Sequence, residues 1–255
     1  MSQENRIDLK QLESLIDQDT RAIIVNNPSN PVGAVYPKEH LEDVLRIAEQ
    51  HSLPVIADEV YGDLTFNNAK FIPLASLSPK VPILTVDSIS KRYLAPGWRL
   101  GWIIVHNRNN ALGEIHEGLI RLAQKIVGPC ALVQGALPKI LDRTPASFFE
   151  QIKDILAANS SIALERLSHI PGLYPIKPSG AMYLLVEFDE KIYGEEEEFM
   201  RNLYFEENVS CMPGRIFFKP GMIRLTLLHP QAETAEACDR IAAFCLRTLQ
   251  KQSKV

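Results

Sequence analysis

Four short polar clusters carry most of the chemical potential of this 255-residue sequence. They are Asn26-Asn27-Pro28-Ser29-Asn30-Pro31-Val32-Gly33, Asp58-Glu59-Val60-Tyr61, Asp87-Ser88-Ile89-Ser90-Lys91-Arg92 and Pro96-Gly97-Trp98-Arg99-Leu100-Gly101. Singly each is weak: Asn-Pro pairs mark turns, a strand-end Asp is commonly a helix cap, and a lysine is usually a surface charge. Together they define a chemistry. A lysine attacks a carbonyl when neighbouring cations, such as Arg92 or Arg99, lower its pKa. An acid at a buried strand end can keep a pyridine nitrogen protonated, which turns the ring into an electron sink. Ser88 and Arg99 suit a phosphate, the arginine through its bidentate fork. Asn30 and Tyr61 can hydrogen-bond a phenolic oxygen. A lysine Schiff base, a pyridinium-binding Asp and phosphate contacts describe a pyridoxal phosphate site.

For these clusters to meet, each must follow a strand of one sheet, because ligands of open α/β sheets bind outside the carboxyl ends of the strands. The sequence supplies such strands. Residues 22–25, 53–57, 83–86 and 102–105 are short apolar runs. Between them, Leu9, Leu12, Leu15 and Ile16 recur at helical spacing, as do Leu41, Val44, Leu45 and Ala48 behind Pro37 at a first helical position. The alternation predicts βαβ units and a mostly parallel sheet buried on both faces. Further helices are expected over about 112–127 and 132–141. Thr144-Pro145 reads as a cap and N1 proline for a helix through Phe148, Ile152, Ile155 and Leu156 toward Leu167. After Pro171-Gly172 the texture changes. A strand is predicted over 181–186, a helix over 198–207, a strand over 223–228, and a last helix with Ala235, Cys238, Ile241, Ala242, Cys245 and Leu249 on one face. The expected fold class is therefore α/β, with a cofactor domain over residues 1–145 and a smaller α+β domain over 146–255. The acidic run Glu195–Glu198 reads as a solvated helix start, where acids favour the macrodipole.

Composition narrows the function classes. Lys+Arg 27 against Asp+Glu 31 leaves a net charge of −4, so no basic footprint for nucleic acid or an anionic membrane is present. With 46% hydrophobic and 23% charged residues the chain is composed like a folded globular protein. No apolar run approaches the roughly 18 residues of a membrane helix, and the first five residues carry no signal-segment pattern. Cys130, Cys211, Cys238 and Cys245 have no C-x-x-C spacing, so no metal site is expected, and reduced thiols in a cytoplasmic protein are the simple reading. No G-x-G-x-x-G follows a strand, which disfavours a dinucleotide-binding oxidoreductase.

At motif level the sequence resembles a known family. Asn27-Pro28-x-Asn30-Pro31-x-Gly33, Asp58-Glu59-Val60-Tyr61 and Ser88-x-Ser90-Lys91, with Arg99-x-Gly101 beyond, are similar to the class I pyridoxal phosphate aminotransferases of the aspartate aminotransferase fold. The run from Lys91 to Trp102 resembles the tyrosine aminotransferase branch. So do Gly128-Pro129-Cys130, Val133-Gln134-Gly135-Ala136-Leu137, Arg143-Thr144-Pro145 and Pro178-Ser179-Gly180-Ala181-Met182-Tyr183.

The resemblance implies that Lys91 forms the Schiff base and moves the catalytic proton. It implies that Asp58 pairs with the pyridinium nitrogen, that Asn30 and Tyr61 bond the 3′ oxygen, and that Ser88 and Arg99 bind the 5′-phosphate. By the same resemblance Arg224 grips the substrate α-carboxylate, Asn30 also belongs to the substrate-binding set, and the bonds before Pro28 and Pro31 are cis. The implied reaction moves an amino group from tyrosine or a related aromatic amino acid to a 2-oxo acid such as 2-oxoglutarate. Family members are longer at the N-terminus and work as homodimers, so the implied alternatives are a truncated, non-catalytic fragment or a pyridoxal phosphate lyase on the same scaffold.

Overall fold

A computed structural model of the chain describes residues 5–78 and 80–252. Residues 1–4, which the signal-segment reading concerns, lie outside them. The chain divides into two compact units: residues 1–29, 34–65 and 69–149 form one, and residues 30–33, 66–68 and 150–255 the other.

The first unit contains α1 (Leu9–Ser14), β1 (Ile23–Asn26), α2 (Lys38–Gln50), β2 (Val55–Asp58), β3 (Ile83–Ser88), α3 (Ile89–Arg92), β4 (Gly101–His106), α4 (Gly113–Lys125) and α5 (Ala131–Arg143). Its sheet runs β1-β2-β3-β4. The first three strands are parallel, with Ile23 opposite Val55 and Val55 opposite Ile83. β4 departs from the parallel expectation: it is antiparallel to β3, with Ser88 opposite Gly101. The connection from β3 is spent on the single turn of α3 and a short 3-10 turn at Pro96–Trp98. Without a crossover helix the chain can only return antiparallel.

The predicted face of α2 packs as read. Leu41, Val44, Leu45 and Ala48 are buried against Ile23, Val25, Val55, Ala57 and Ile83. Pro37 is the N-cap, extended at ψ 160°, so the helix begins one residue later than its proline implied. The expected burial on both faces fails at β1, where Ile23 and Val25 are buried but Ile24, pointing the other way, is 69% exposed. An apolar run states what may be buried; neighbouring elements decide what is.

The second unit takes α6 (Ala146–Leu167) from residue 150 onward, then β5 (Leu173–Pro175), β6 (Tyr183–Phe188), α7 (Glu190–Tyr193), α8 (Glu196–Glu207), β7 (Met212–Pro213), β8 (Met222–Thr226) and α9 (Gln231–Gln252). Its sheet, ordered β5-β6-β8-β7, is antiparallel throughout. β5, β7 and α7 are too short for periodicity to announce. Phe199 of α8 stacks on Phe188 at 4.4 Å between ring centroids and meets Tyr193 and Phe244 edge-on. Cys238, Ile241 and Cys245 line the buried face of α9, as their spacing predicted.

Two local readings are corrected. The Thr144 hydroxyl donates to the Ile140 carbonyl at 2.6 Å and so closes α5, where a cap for the following helix was expected. Glu196, expected in solvent, is 5% exposed. Its carboxylate accepts from the backbone N–H of Arg215 (3.2 Å) and Met222 (3.4 Å). The 214–222 segment closes over the first turn of α8, a long-range contact that a local charge run does not report. Among the described residues no helix is long and apolar enough to cross a membrane.

Candidate active site

Asp58 ends β2, Ser88 ends β3, and Lys91 rides on α3 directly beyond it, so the parallel strands deliver three of the expected residues to one sheet edge. Asp58 is anchored through its carbonyl, which accepts from the Asn27 N–H at 3.1 Å and the Asn26 side-chain amide at 3.2 Å. Burial pushes its carboxyl above the ordinary range, and the Val60 N–H, at 3.5 Å, and the Asn26 amide offset only part of this. Tyr61 is 4% exposed. The Lys91 Nζ lies 5.9 Å from the centroid of its ring. Ser88 caps α3, its hydroxyl accepting from the Ser90 N–H at 3.2 Å.

Gly101 sits where a Cβ would come within 3.0 Å of the Asp87 carbonyl and 3.1 Å of the Ser88 Cβ, so a side chain there would crowd the approach of β4 to Ser88. Arg99 adopts the left-handed region (φ 50°, ψ 43°) and donates from Nη1 to the Pro96 carbonyl at 2.9 Å. Ser88 and Arg99 share a cavity of about 600 Å³ whose other walls include Val60, Gly101, Trp102 and His116. Asp58, Tyr61 and Lys91 stand outside those walls.

Arg92, read in the sequence as a cation beside Lys91, has counter-charges of its own. It is ion-paired through Nε with Asp63, and its Nη1 lies 3.7 Å from Asp87. Two carboxylates therefore offset the cation that was expected to act on Lys91. Close by, Glu59 is 8% exposed and accepts the Leu74 N–H at 2.7 Å. Burial, reinforced by the charges of Asp87 and Asp58, pushes its carboxyl up to about 7.

Asn30 and Arg224 belong to the second unit, which brings them together. Arg224 Nη1 donates to the Asn30 Oδ1 at 2.7 Å. The guanidinium lies 3.9 Å from the ring centroid of Tyr183 and 4.7 Å from that of Phe217. The 30–33 segment is fixed by Gly33, whose carbonyl accepts from the N–H groups of Ser179 (2.8 Å) and Gly180 (2.9 Å). At φ +71° a Cβ there would stand 2.6 Å from the Pro178 Cβ, so the motif glycine is obligatory. The bonds Asn27-Pro28 and Asn30-Pro31 are both cis.

The donor set of the first unit fits pyridoxal phosphate. Asp58 is a half-buried acid with weak donors, and a protonated ring nitrogen beside it would offset its burial. The Ser88 hydroxyl and the Arg99 fork are phosphate ligands by chemistry. Lys91 supplies the amine. Sequence reasoning missed Asn26, Asp63 and Tyr183 as supporting residues. Asn26 and Tyr183 stood in quoted motifs with no role given to them, whereas nothing local links Asp63 to Arg92. Among the described residues no group of His, Cys, Asp and Glu could hold a metal ion, and all four cysteines are free thiols.

Comparison with known proteins adds independent findings. The sequence profile of aminotransferase class I and II matches residues 1–241. The chain is 50% identical over 248 residues to the tyrosine aminotransferase of Caenorhabditis elegans, covering 97% of this chain and 53% of that protein. It is 48% identical over 243 residues to human tyrosine aminotransferase, covering 94% and 54%. Among solved structures, tyrosine aminotransferase from Leishmania infantum superposes with a TM-score of 0.91 at 33% identity, covering 95% of this chain and 60% of that one. Alanine aminotransferase from Pyrococcus furiosus gives 0.89 at 31%, covering 94% and 61%. The chain spans about half the length of the curated relatives it matches.

Proposed function

This chain belongs to the class I and II aminotransferases, and from that premise we propose that it binds pyridoxal 5′-phosphate and forms part of an enzyme for aromatic amino acids. In this reading the full protein moves the amino group of tyrosine, or a close aromatic relative, to a 2-oxo acid such as 2-oxoglutarate. It does so in the cytoplasm as a homodimer. Residues 1–145 are the cofactor-binding portion and residues 146–255 the smaller domain.

Pyridoxal phosphate, when bound, supplies an aldehyde for an amine and an electron-withdrawing ring. The chain's own residues do the rest. Lys91 anchors the group and, as a free amine, holds and moves a proton at the substrate Cα. Asp58 keeps the ring nitrogen protonated. Tyr61 and Asn30 donate to the 3′ oxygen, and Ser88 and Arg99 hold the phosphate. Arg224 grips the substrate α-carboxylate, its fork oriented by the Asn30 amide oxygen at 2.7 Å and by the ring of Tyr183.

The observation that carries this reading is the gathering of Asp58, Ser88 and Lys91 at one sheet edge, with Lys91 beside the buried Tyr61. The purified chain mixed with pyridoxal phosphate is expected to turn yellow, and borohydride should fix the group on Lys91, read by peptide mass spectrometry. Lys91→Ala should abolish both. No colour, or colour that survives the substitution, overturns the proposal.

A further inference from the structure

The segment bearing Lys91 is too short to hold its own shape. α3 has four residues, and a single helical turn in isolation is unstable. Ile89 secures its start, buried and donating its N–H to the Leu100 carbonyl at 3.2 Å. Arg92 secures its end. The guanidinium pairs with Asp63, approaches Asp87 at 3.7 Å, and lies 5.6 Å and 5.7 Å from the ring centroids of Tyr93 and Phe149. Asp63 stands two residues beyond Tyr61, and Arg92 one residue beyond Lys91. One ion pair thus ties together the two segments whose adjacent side chains, Lys91 and Tyr61, are 5.9 Å apart.

Packing does not supply this tie. A cavity of about 420 Å³, walled by Glu59, Thr85, Asp87 and Arg92 among others, adjoins the guanidinium. The buried Thr85 hydroxyl within that wall has no hydrogen-bond partner. Nor is the tie chiefly a source of stability. The Arg92 and Asp63 side chains are 36% and 39% exposed, and ion pairs so wetted contribute little to folding. What remains for them is register.

We propose that Asp63, Arg92 and Asp87 form a strap that sets Lys91 against Tyr61, which makes Arg92 and Asp63 positioning residues for the Lys91 amine. This rests on the reading of Lys91 as the reactive lysine.

The test needs no cofactor. Acetic anhydride labels the lysines of the complete chain across a pH series, and peptide mass spectrometry gives the rate at Lys91 relative to Lys38 and Lys80. Arg92→Gln should free Lys91 from the ring and raise its relative rate about tenfold, the scale of one cation–ring contact. Arg92→Lys keeps the charge but loses the fork, and should recover part of the native protection. Asp63→Asn should act in the same direction by about threefold, because Asp87 still holds the guanidinium. Relative rates within about twofold of native for both Arg92→Gln and Asp63→Asn, below the effect of one charge-assisted contact, overturn the strap. If Arg92→Gln unfolds, seen as a uniform rise at every lysine, Asp63→Asn decides by the same criterion. A native chain that fails to capture pyridoxal phosphate overturns the functional reading, while the labelling rates still decide the strap.

Discussion

The two sheets of this chain are covered to very different degrees. In the second unit β6 is buried at five of its six positions, and Phe199, Leu203, Ile241 and Cys245 are sealed against it or beside it. In the first unit β4 has no fully buried residue, and neither α4 nor α5 buries a side chain completely. Ile126, Val127 and Leu132 stand 76%, 90% and 85% exposed. The acids follow the same division. Glu196 in the second unit is closed over by two backbone N–H donors. Glu59, Asp58 and Asp87 crowd the edge of the first sheet, each with its carboxyl raised chiefly by burial. The well-covered unit spends its buried polar groups on holding shape. The open unit keeps three acids at one sheet edge, where burial disfavours their charged form.

Truncating apolar side chains is the strongest way to break this contrast. Phe199→Ala should lower stability by about 3–5 kcal/mol, whereas Leu132→Ala should stay within about 0.5 kcal/mol, both read by denaturant unfolding. Equal losses at the two positions would mean that the α4–α5 region is covered in solution.

A smaller effect sharpens the contrast between the acids. Burial pushes the Glu59 carboxyl up to about 7 in the folded chain, well above the ordinary glutamate range. The folded state therefore keeps a proton that the unfolded chain has released. Stability from this group is fully present below about pH 4.5 and is lost as pH rises toward about 7, with the loss on the order of 3 kcal/mol. Glu59→Gln removes the titration, so the variant's unfolding midpoint should fall less than the native one between those pH values. Parallel curves would sink the assignment.

The smallest effect belongs to the other acid. Glu196→Gln keeps the shape but weakens the acceptor for two backbone N–H groups, at a cost of about 1 kcal/mol in denaturant unfolding. A value near zero would show that the 214–222 segment is held by packing alone.

How much of this was legible in advance depends on the range of the interaction. The apolar faces of α2 and α9 follow from periodicity, and the strands expected over 53–57 and 83–86 follow from their apolar runs, because each signal lies within one element. The motif residues Asp58, Tyr61, Ser88, Lys91 and Arg99 could be chosen because their types match one chemistry at strand ends. The partners of Arg92 were illegible for the opposite reason. Asp63 and Asp87 come from other segments, and a cation's effect on Lys91 cannot be judged before its counter-charges are placed. Thr144 and Glu196 misled similarly, each serving a partner that the local pattern does not name.

The sequence by itself determined the elements, the strand-end placement of the polar clusters and the glycines at Gly33 and Gly101, since these depend on spacing and residue type. Tertiary structure alone decided that β4 runs antiparallel, that Glu196 is buried, and that Arg92 bridges to Asp63. Those outcomes come from groups far apart in the chain, and burial and electrostatics have no value until the fold sets the distances between them.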